Sequence, residues 1–140
     1  MPTRIFVNLP VKDLKKSNAF FKSLGYSFDS RFTDDTATCM VIDDNIRAML
    51  LTHEKFGTFT PHPICDATQS TEVLLALELE SRAAVDEMVR KAVAAGGTTV
   101  RPPRDHGFMY EHGFQDLDGH IWELLWLNPS AMRQETSAAV

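Results

Sequence analysis

Apolar and polar residues alternate along several short stretches of the chain, and this alternation predicts β-strands. In the stretch 5–11 every second residue is aliphatic, as expected for a strand with one buried face. Three further strands are predicted at about 26–32, 37–42 and 46–52. The run 43–45, Asp-Asp-Asn, is suited to the turn between the last two strands.

Between the first two of these strands the apolar residues recur at the spacing of a helix. Asp13 is suited to cap its N-terminus, and the helix is predicted to run to about Leu24. Gly25 follows where a left-handed residue often ends a helix. The first half of the chain therefore has the predicted order β-α-β-β-β.

The second half repeats this order. Ser81 can cap a helix that Gly96 and Gly97 end. Strands are predicted at 73–79, near 98–101, near 108–114 and at 120–127. We therefore expect an α+β fold built from two βαβββ modules. A ferredoxin-like domain is the alternative, but it needs fewer than eight strands.

The repeat also predicts how the chain is divided. We expect a single domain over residues 1–140, with module one at about 4–53, a linker at 54–71, module two at about 72–127 and a frayed tail at 128–140. The segment 53–71 contains Gly57, two prolines and four threonines, and it is interpreted either as a plain linker or as a lid.

Composition excludes some classes of partner. The net charge of -5 disfavours nucleic acid and anionic membranes, and no apolar run is long enough to span a bilayer. The N-terminal residues go directly into a strand pattern, which predicts no signal peptide. Cys39 and Cys65 are then expected to be reduced thiols in a cytoplasmic protein.

The most informative stretch is 114–124, Phe-Gln-Asp-Leu-Asp-Gly-His-Ile-Trp-Glu-Leu. An Asp-x-Asp-Gly turn leads into an apolar strand that carries one carboxylate, Glu123. A buried, unpaired charge is costly, so this residue is expected to have a function. In an apolar cavity it would suit a general acid or base, or a carboxyl group that hydrogen-bonds a ligand. A Glu retained without function and paired with an Arg or a backbone amide is the alternative.

This stretch resembles the last hairpin of the vicinal-oxygen-chelate superfamily, the glyoxalase/bleomycin-resistance/dioxygenase group. The run 11–14, Val-Lys-Asp-Leu, resembles the start of the first helix in that family. The resemblance covers about residues 4–127 and suggests an uncharacterised branch similar to lactoylglutathione lyase. It implies two βαβββ modules that form a curved mixed sheet around a cavity.

The resemblance also implies where a metal would bind. The four ligand positions of the family fall on Phe6, Leu50, Leu74 and Glu123, and only the last can bind a metal. We therefore expect no metal and no other cofactor. A displaced site of His53, Glu72 and Glu123 that holds Zn, Ni or Fe is the alternative, and it would support a metal-dependent lyase or an extradiol dioxygenase.

These observations predict a protein that binds a small molecule in an apolar cavity. Glu123 is the candidate catalytic residue if a reaction takes place. The predicted ligand-binding residues are Phe6, Asn8, Leu50, Glu72, Leu74 and Tyr110. Arg104 and His106 precede a strand of the cavity and are further candidates. Many relatives in the family are homodimers, so the resemblance also predicts a homodimer.

Overall fold

The computed structural model describes residues 2–131, which include eight strands and three α-helices. By contacts the chain divides into two compact units, Met1–Ser70 and Thr71–Val140. The elements of the first unit are β1 (Ile5–Val11), α1 (Leu14–Ser23), β2 (Ser27–Phe28), β3 (Ala37–Asp43), β4 (Ile46–Thr52) and α2 (His53–Gly57). Those of the second are β5 (Leu74–Glu78), α3 (Arg82–Ala94), β6 (Arg104–Asp105), β7 (Met109–Gln115) and β8 (Ile121–Leu127).

Each unit contains a four-stranded mixed sheet with the same topology. The strand order is β1-β4-β3-β2 in the first sheet and β5-β8-β7-β6 in the second. In both sheets the first strand runs parallel to the last, and the other pairs are antiparallel. The predicted α+β fold of two βαβββ modules is therefore confirmed.

In the first unit α1 contacts β3 and β4 and covers one face of the sheet. The Asp13 carboxylate accepts a hydrogen bond from the Lys16 amide and caps the helix, as the sequence predicts. Gly25 has a φ of 101°, a conformation that costs a glycine little, and it lets the chain turn into β2. The buried residues of the helix include Leu14, Phe20 and Phe21.

In the second unit α3 packs against β7 and β8. Ser81 caps it by accepting a hydrogen bond from the Ala84 amide. The helix buries Val85, Val89 and Ala92. The sheet contributes Phe114, Trp122 and Leu124 to the buried residues of this unit. Removing this apolar surface from water stabilises the packing of helix on sheet.

Two predicted strands are wrong in their extent. The strand predicted at 26–32 is only two residues long, because the Asp29 carboxylate accepts a hydrogen bond from the Arg31 amide and starts a 3₁₀ helix, Ser30–Phe32. The strand predicted at 98–101 is a single bridge between Thr98 and Gln115. Pro102 and Pro103 follow, and prolines have no N–H to donate to a sheet.

The segment that links the two units begins with a short helix, which the sequence does not predict. Residues His53–Gly57 form α2, which Thr52 caps and which contacts β1 and β4. Most of the predicted frayed tail, residues 132–140, lies outside the described residues. No helix within the described range is long and apolar enough to cross a membrane.

Candidate ligand site on the second unit

The face of the second sheet opposite α3, here called the open face, carries the candidate site. The pairing register aligns Ala76 of β5, Glu123 of β8 and Gly113 of β7 across it. Side chains on adjacent strands that are aligned in this way point to the same side of a sheet. The neighbouring open-face positions are occupied by Leu74, Ile121, Glu111 and Gln115.

A depression with a volume of about 80 Å³, open to solvent, lies on this face. Its lining residues belong to the second unit only and are Leu74, Val100, Arg101, Glu111, His112, Gly113, Ile121 and Glu123. The lining combines aliphatic walls with a few charged groups. This combination is typical of sites that bind small organic molecules.

Glu123 provides a carboxylate to this depression. Its side chain is 23% exposed, and its nearest cation is Arg101, whose Nη2 lies 3.9 Å from Oε1. That distance is too long for a hydrogen bond. Within the described part of the chain no hydrogen bond reaches the Glu123 side chain, so this carboxylate has acceptor capacity that a ligand can use.

Gly113 keeps the sheet tight beside Glu123. A Cβ atom added at Gly113 would lie 2.7 Å from the backbone oxygen of Trp122 and 3.5 Å from the Cα of Glu123. Because the first of these contacts is with a backbone atom, no side-chain movement can relieve it. Because Gly113 has no side chain, β7 can lie close to the backbone of Trp122 and Glu123 on β8.

A second carboxylate of the open face, Glu111, is firmly paired. Its Oε1 lies 2.6 Å from Arg104 Nη2 and 3.1 Å from His106 Nε2, and Arg101 Nη2 is 4.0 Å away. Burial alone would raise the pKa of Glu111, but the hydrogen bond from His106 and the charge of Arg104 outweigh burial and lower it. Glu111 is therefore a charged group that has its own partners.

The Asp-x-Asp-Gly turn fixes the start of β8. The Asp116 carboxylate accepts hydrogen bonds from the amides of Asp118 and His120 and from Nε1 of Trp122. Burial raises the pKa of Asp116, and these hydrogen bonds oppose that shift. Since the turn holds Trp122 on the helix side of the sheet, alternation places Glu123 on the open face, as the sequence predicts.

The predicted ligand-binding residues are divided between different parts of the molecule. Leu74 lies beside Glu123 in the depression. Phe6 and Asn8 lie on the first unit, on the face of its sheet opposite α1. Glu72 is exposed, precedes β5 and is not among the residues that line the depression.

Leu50 and Tyr110 lie on the helix-covered faces of their sheets. Leu50 pairs with Leu9 and is fully buried, whereas the open-face residue of β4 is Met49, which pairs with Asn8. The hydroxyl of Tyr110 donates a hydrogen bond to Asp86 of α3. Both residues thus contact the core of their own units. Within the second sheet the register places Tyr110 on the face opposite Glu123.

The sequence gives no direct indication of three residues of the site. Arg101 was expected in a strand and instead lies in the loop before β6. Glu111 and Gly113 of β7 lie on the open face of the sheet, as Glu123 of β8 does. Alternation along β7, combined with an antiparallel register to β8, would have identified both. Arg104 and His106 reach the site through Glu111.

The donor set does not fit the metal site that the resemblance implies. Among the described residues no group of three or more His, Cys, Asp or Glu side chains is arranged to hold a metal ion. In the depression the one other carboxylate near Glu123 among the described residues is Glu111, which is already paired with Arg104 and His106. Transition metals need several nitrogen, sulfur or oxygen donors. The displaced site of His53, Glu72 and Glu123 gains no support.

A family model and solved structures both match this chain. The profile of the Glyoxalase/Bleomycin resistance protein/Dioxygenase superfamily matches residues 5–124. None of the curated proteins matches the chain. A hypothetical protein from S. aureus is similar in structure, with a TM-score of 0.76, 29% identity and coverage of 90% of this chain and 95% of that chain.

Two more distant structures share the fold. A glyoxalase-related enzyme from Fulvimarina pelagi has a TM-score of 0.77 and 20% identity, covering 92% of this chain and 90% of that chain. The fosfomycin resistance protein FosX from Listeria monocytogenes has a TM-score of 0.65 and 20% identity, covering 94% of this chain and 98% of that chain. At these identities the likeness establishes the fold alone.

Proposed function

Because this chain belongs to the glyoxalase/bleomycin resistance/dioxygenase superfamily, we propose that it binds a small organic molecule in the depression on the open face of the second unit. One observation carries this proposal. The carboxylate of Glu123 is largely removed from solvent among Leu74, Val100 and Ile121, and no described residue donates a hydrogen bond to it. A ligand that supplies a donor would complete the site.

The polar and apolar parts of the depression have different roles in this proposal. Leu74, Val100 and Ile121 remove the apolar body of the ligand from water, which supplies affinity. Glu123 orients the ligand by accepting a hydrogen bond. Glu111 stays paired with Arg104 and His106 and closes one side of the site.

The proposed binding does not require a metal. Dialysis against a chelator is expected to leave the affinity for a ligand unchanged, because the residues around Glu123 do not form a chelating set. Stoichiometric Zn, Ni or Fe that is lost together with ligand binding in the Glu123→Gln variant would contradict this part of the proposal.

The binding site is tested by screening a fragment library against the isotope-labelled protein by NMR. Fragments that bind are expected to shift the amide signals of Leu74, Arg101, Gly113 and Glu123 together. Glu123→Gln should weaken binding about tenfold, since a hydrogen bond to a charged group contributes about 1.5–3 kcal/mol. Glu72→Gln, at an exposed position outside the depression, is the matched control.

Two results would refute the proposed site. One is a set of signal shifts that lies away from the depression for every fragment that binds. The other is an equal affinity for the wild-type protein, the Glu123→Gln variant and the Glu72→Gln control. Either result would leave the chain as a member of this family without a known ligand site.

We also propose that the chain forms a homodimer. Ile5 and Phe6 on the edge strand β1 and Val73 beside the edge strand β5 are between 41% and 54% exposed, and a second copy would cover such apolar surface. Sedimentation equilibrium is expected to give the mass of two chains. The mass of one chain at micromolar concentration would refute this proposal.

A further inference from the structure

The two carboxylates of the depression, Glu111 and Glu123, differ in how closely they are paired with cations. Glu111 lies within 3.1 Å of two cationic or titratable groups, Arg104 and His106. The one cationic group within 4.0 Å of the Glu123 carboxylate in the described part of the chain is Arg101, at 3.9 Å. Glu123, which accepts no hydrogen bond from the described residues, thus also has a more distant counterion than Glu111.

Arg101 is a loosely held counterion. Its side chain is 46% exposed, and its Nη2 is about equally far from the two carboxylates, 3.9 Å from Glu123 and 4.0 Å from Glu111. Neither distance permits a hydrogen bond. An exposed ion pair of this kind contributes little stability, so a ligand can displace it at small cost.

The geometry is unfavourable for an anionic ligand. An anion that contacts Nη2 of Arg101 would also come close to the carboxylates of Glu111 and Glu123, because both have an oxygen within 4.0 Å of that nitrogen. Repulsion between like charges at such separations is strong in a partly desolvated site. A cation that contacts Glu123 is attracted by this carboxylate. It is repelled by Arg101, but the half-exposed Arg101 side chain can move towards solvent.

We propose that the ligand of this depression is an organic cation, a primary or secondary amine with an apolar body, whose ammonium group donates to Glu123 in place of Arg101. This inference rests on the proposed function, since it names the ligand class of the same site. The apolar body lies against Leu74, Val100 and Ile121. Arg101 then pairs with Glu111 or turns to solvent.

Three compounds of similar shape test the charge of the ligand: benzylamine, benzyl alcohol and benzoate. Their affinities are measured by NMR titration at low and high salt. We expect benzylamine to bind about tenfold more tightly than benzyl alcohol, because a charge-assisted hydrogen bond is stronger than a neutral one. Benzoate should bind most weakly, and only the affinity of benzylamine should fall as salt is added.

Two variants test the roles of the residues. Glu123→Gln keeps the shape of the side chain and should remove the preference for benzylamine over benzyl alcohol. Arg101→Gln removes the competing cation and should raise the affinity for benzylamine severalfold. The matched control is Arg90→Gln, which breaks an exposed ion pair with Glu87 on α3 and should change neither value.

The outcomes separate this inference from the proposed function. Equal binding of the three compounds in the depression, or tightest binding of benzoate, would overturn the cationic ligand while leaving a small-molecule site. A preference for benzylamine that persists in Glu123→Gln would overturn the assigned contact. If none of the compounds and no member of the fragment library shifts the signals of the depression, the proposed function itself fails.

Discussion

The two sheets have the same topology, but the ion pairs that their open-face arginines form differ. In the first unit Arg47 of β4 lies 2.6 Å from Asp29, and both side chains are about nine-tenths buried. In the second unit Arg101 lies 3.9 Å from Glu123, and its side chain is 46% exposed. The first pair is closed and hydrogen-bonded, whereas the second is open and has no hydrogen bond.

The first pair therefore stabilises the fold, whereas the charged groups of the second pair remain available to a ligand. A buried charge needs a partner, and removing one partner of such a pair is strongly destabilising. Asp29 also accepts hydrogen bonds from Arg31 of the short 3₁₀ helix, which contacts β3. Within residues 71–131 no hydrogen bond involves the side chain of Arg101 or of Glu123, so that pair can be exchanged for a ligand.

The largest effect is expected from breaking the closed pair. Arg47→Met removes the guanidinium and leaves Asp29 with Arg31 alone, which is 69% exposed. We expect the free energy of unfolding, measured by urea denaturation, to fall several times more than in Arg101→Met. The latter should lose about 1 kcal/mol or less, as is usual for exposed pairs.

The double variant Arg47→Met, Asp29→Asn serves as the control for this prediction. Removing the charge of Asp29 as well should restore part of the lost stability, because no buried carboxylate then lacks its partner. Equal losses for Arg47→Met and Arg101→Met would show that the distinction between the closed and the open pair is wrong.

The second prediction concerns pH. Hydrogen bonds from Arg31 and Arg47 hold the pKa of Asp29 well below its ordinary value of 3.8. A carboxylate whose pKa is lowered in the folded state stabilises the fold above the unfolded pKa, and this stability is lost as the pH falls below it. The free energy of unfolding should therefore decrease from about pH 5 to pH 3.

Two variants connect this pH dependence to the closed pair. Asp29→Asn should make the decrease between pH 5 and pH 3 shallower, since the group that takes up the proton is gone. Arg31→Gln should have an intermediate effect, because Arg47 still binds Asp29. The same slope in the wild-type protein and in Asp29→Asn would exclude Asp29 as the source.

A third prediction concerns the strand beside each ion pair. Gly113 in the second unit occupies the place of Cys39 in the first, where a side chain is accommodated beside Met49. In Gly113→Ala the new Cβ would lie 2.7 Å from the Trp122 carbonyl oxygen. We expect a loss of about 1–3 kcal/mol in thermal unfolding, as is usual for overpacking. Ligand binding should weaken as well, because Glu123 shifts with the strand.

Gly57→Ala is the matched control for this change. No atom lies within 4 Å of a Cβ at Gly57, and its backbone is helical. Alanine is therefore expected to preserve or slightly increase stability at this position. A Gly113→Ala variant as stable as the Gly57→Ala control would mean that β7 and β8 can separate without cost.

The elements with a clear period or cap were predictable from the sequence. Asp13 and Ser81 begin helices as predicted, and β1 has the bounds that its alternation indicates. Glu123 was predictable because it is a charged residue in an apolar strand. These features depend on residues close together in the chain, and local periodicity reports such features well.

Features that depend on register were not predictable in the same way. β4 reads Ile-Arg-Ala-Met-Leu-Leu-Thr, with apolar residues on both faces, so periodicity cannot decide whether Met49 or Leu50 lies on the open face. The pairing of Asn8 with Met49 decides it. Arg101 comes near Glu123 only through the loop before β6, for which the sequence provides no periodic signal.

The smallest effect is expected from Tyr110, which tests where the site ends. Its hydroxyl donates to Asp86 on the helix side of the sheet, and the Arg82 guanidinium lies 4.2 Å from the centre of its ring. Tyr110→Phe should cost about 1 kcal/mol in urea denaturation, the usual contribution of one hydrogen bond. Because Tyr110 and Glu123 lie on opposite faces, ligand affinity should not change. A loss of affinity in Tyr110→Phe as large as in Glu123→Gln would contradict this prediction. It would show that ligand binding also depends on residues on the helix side of the sheet.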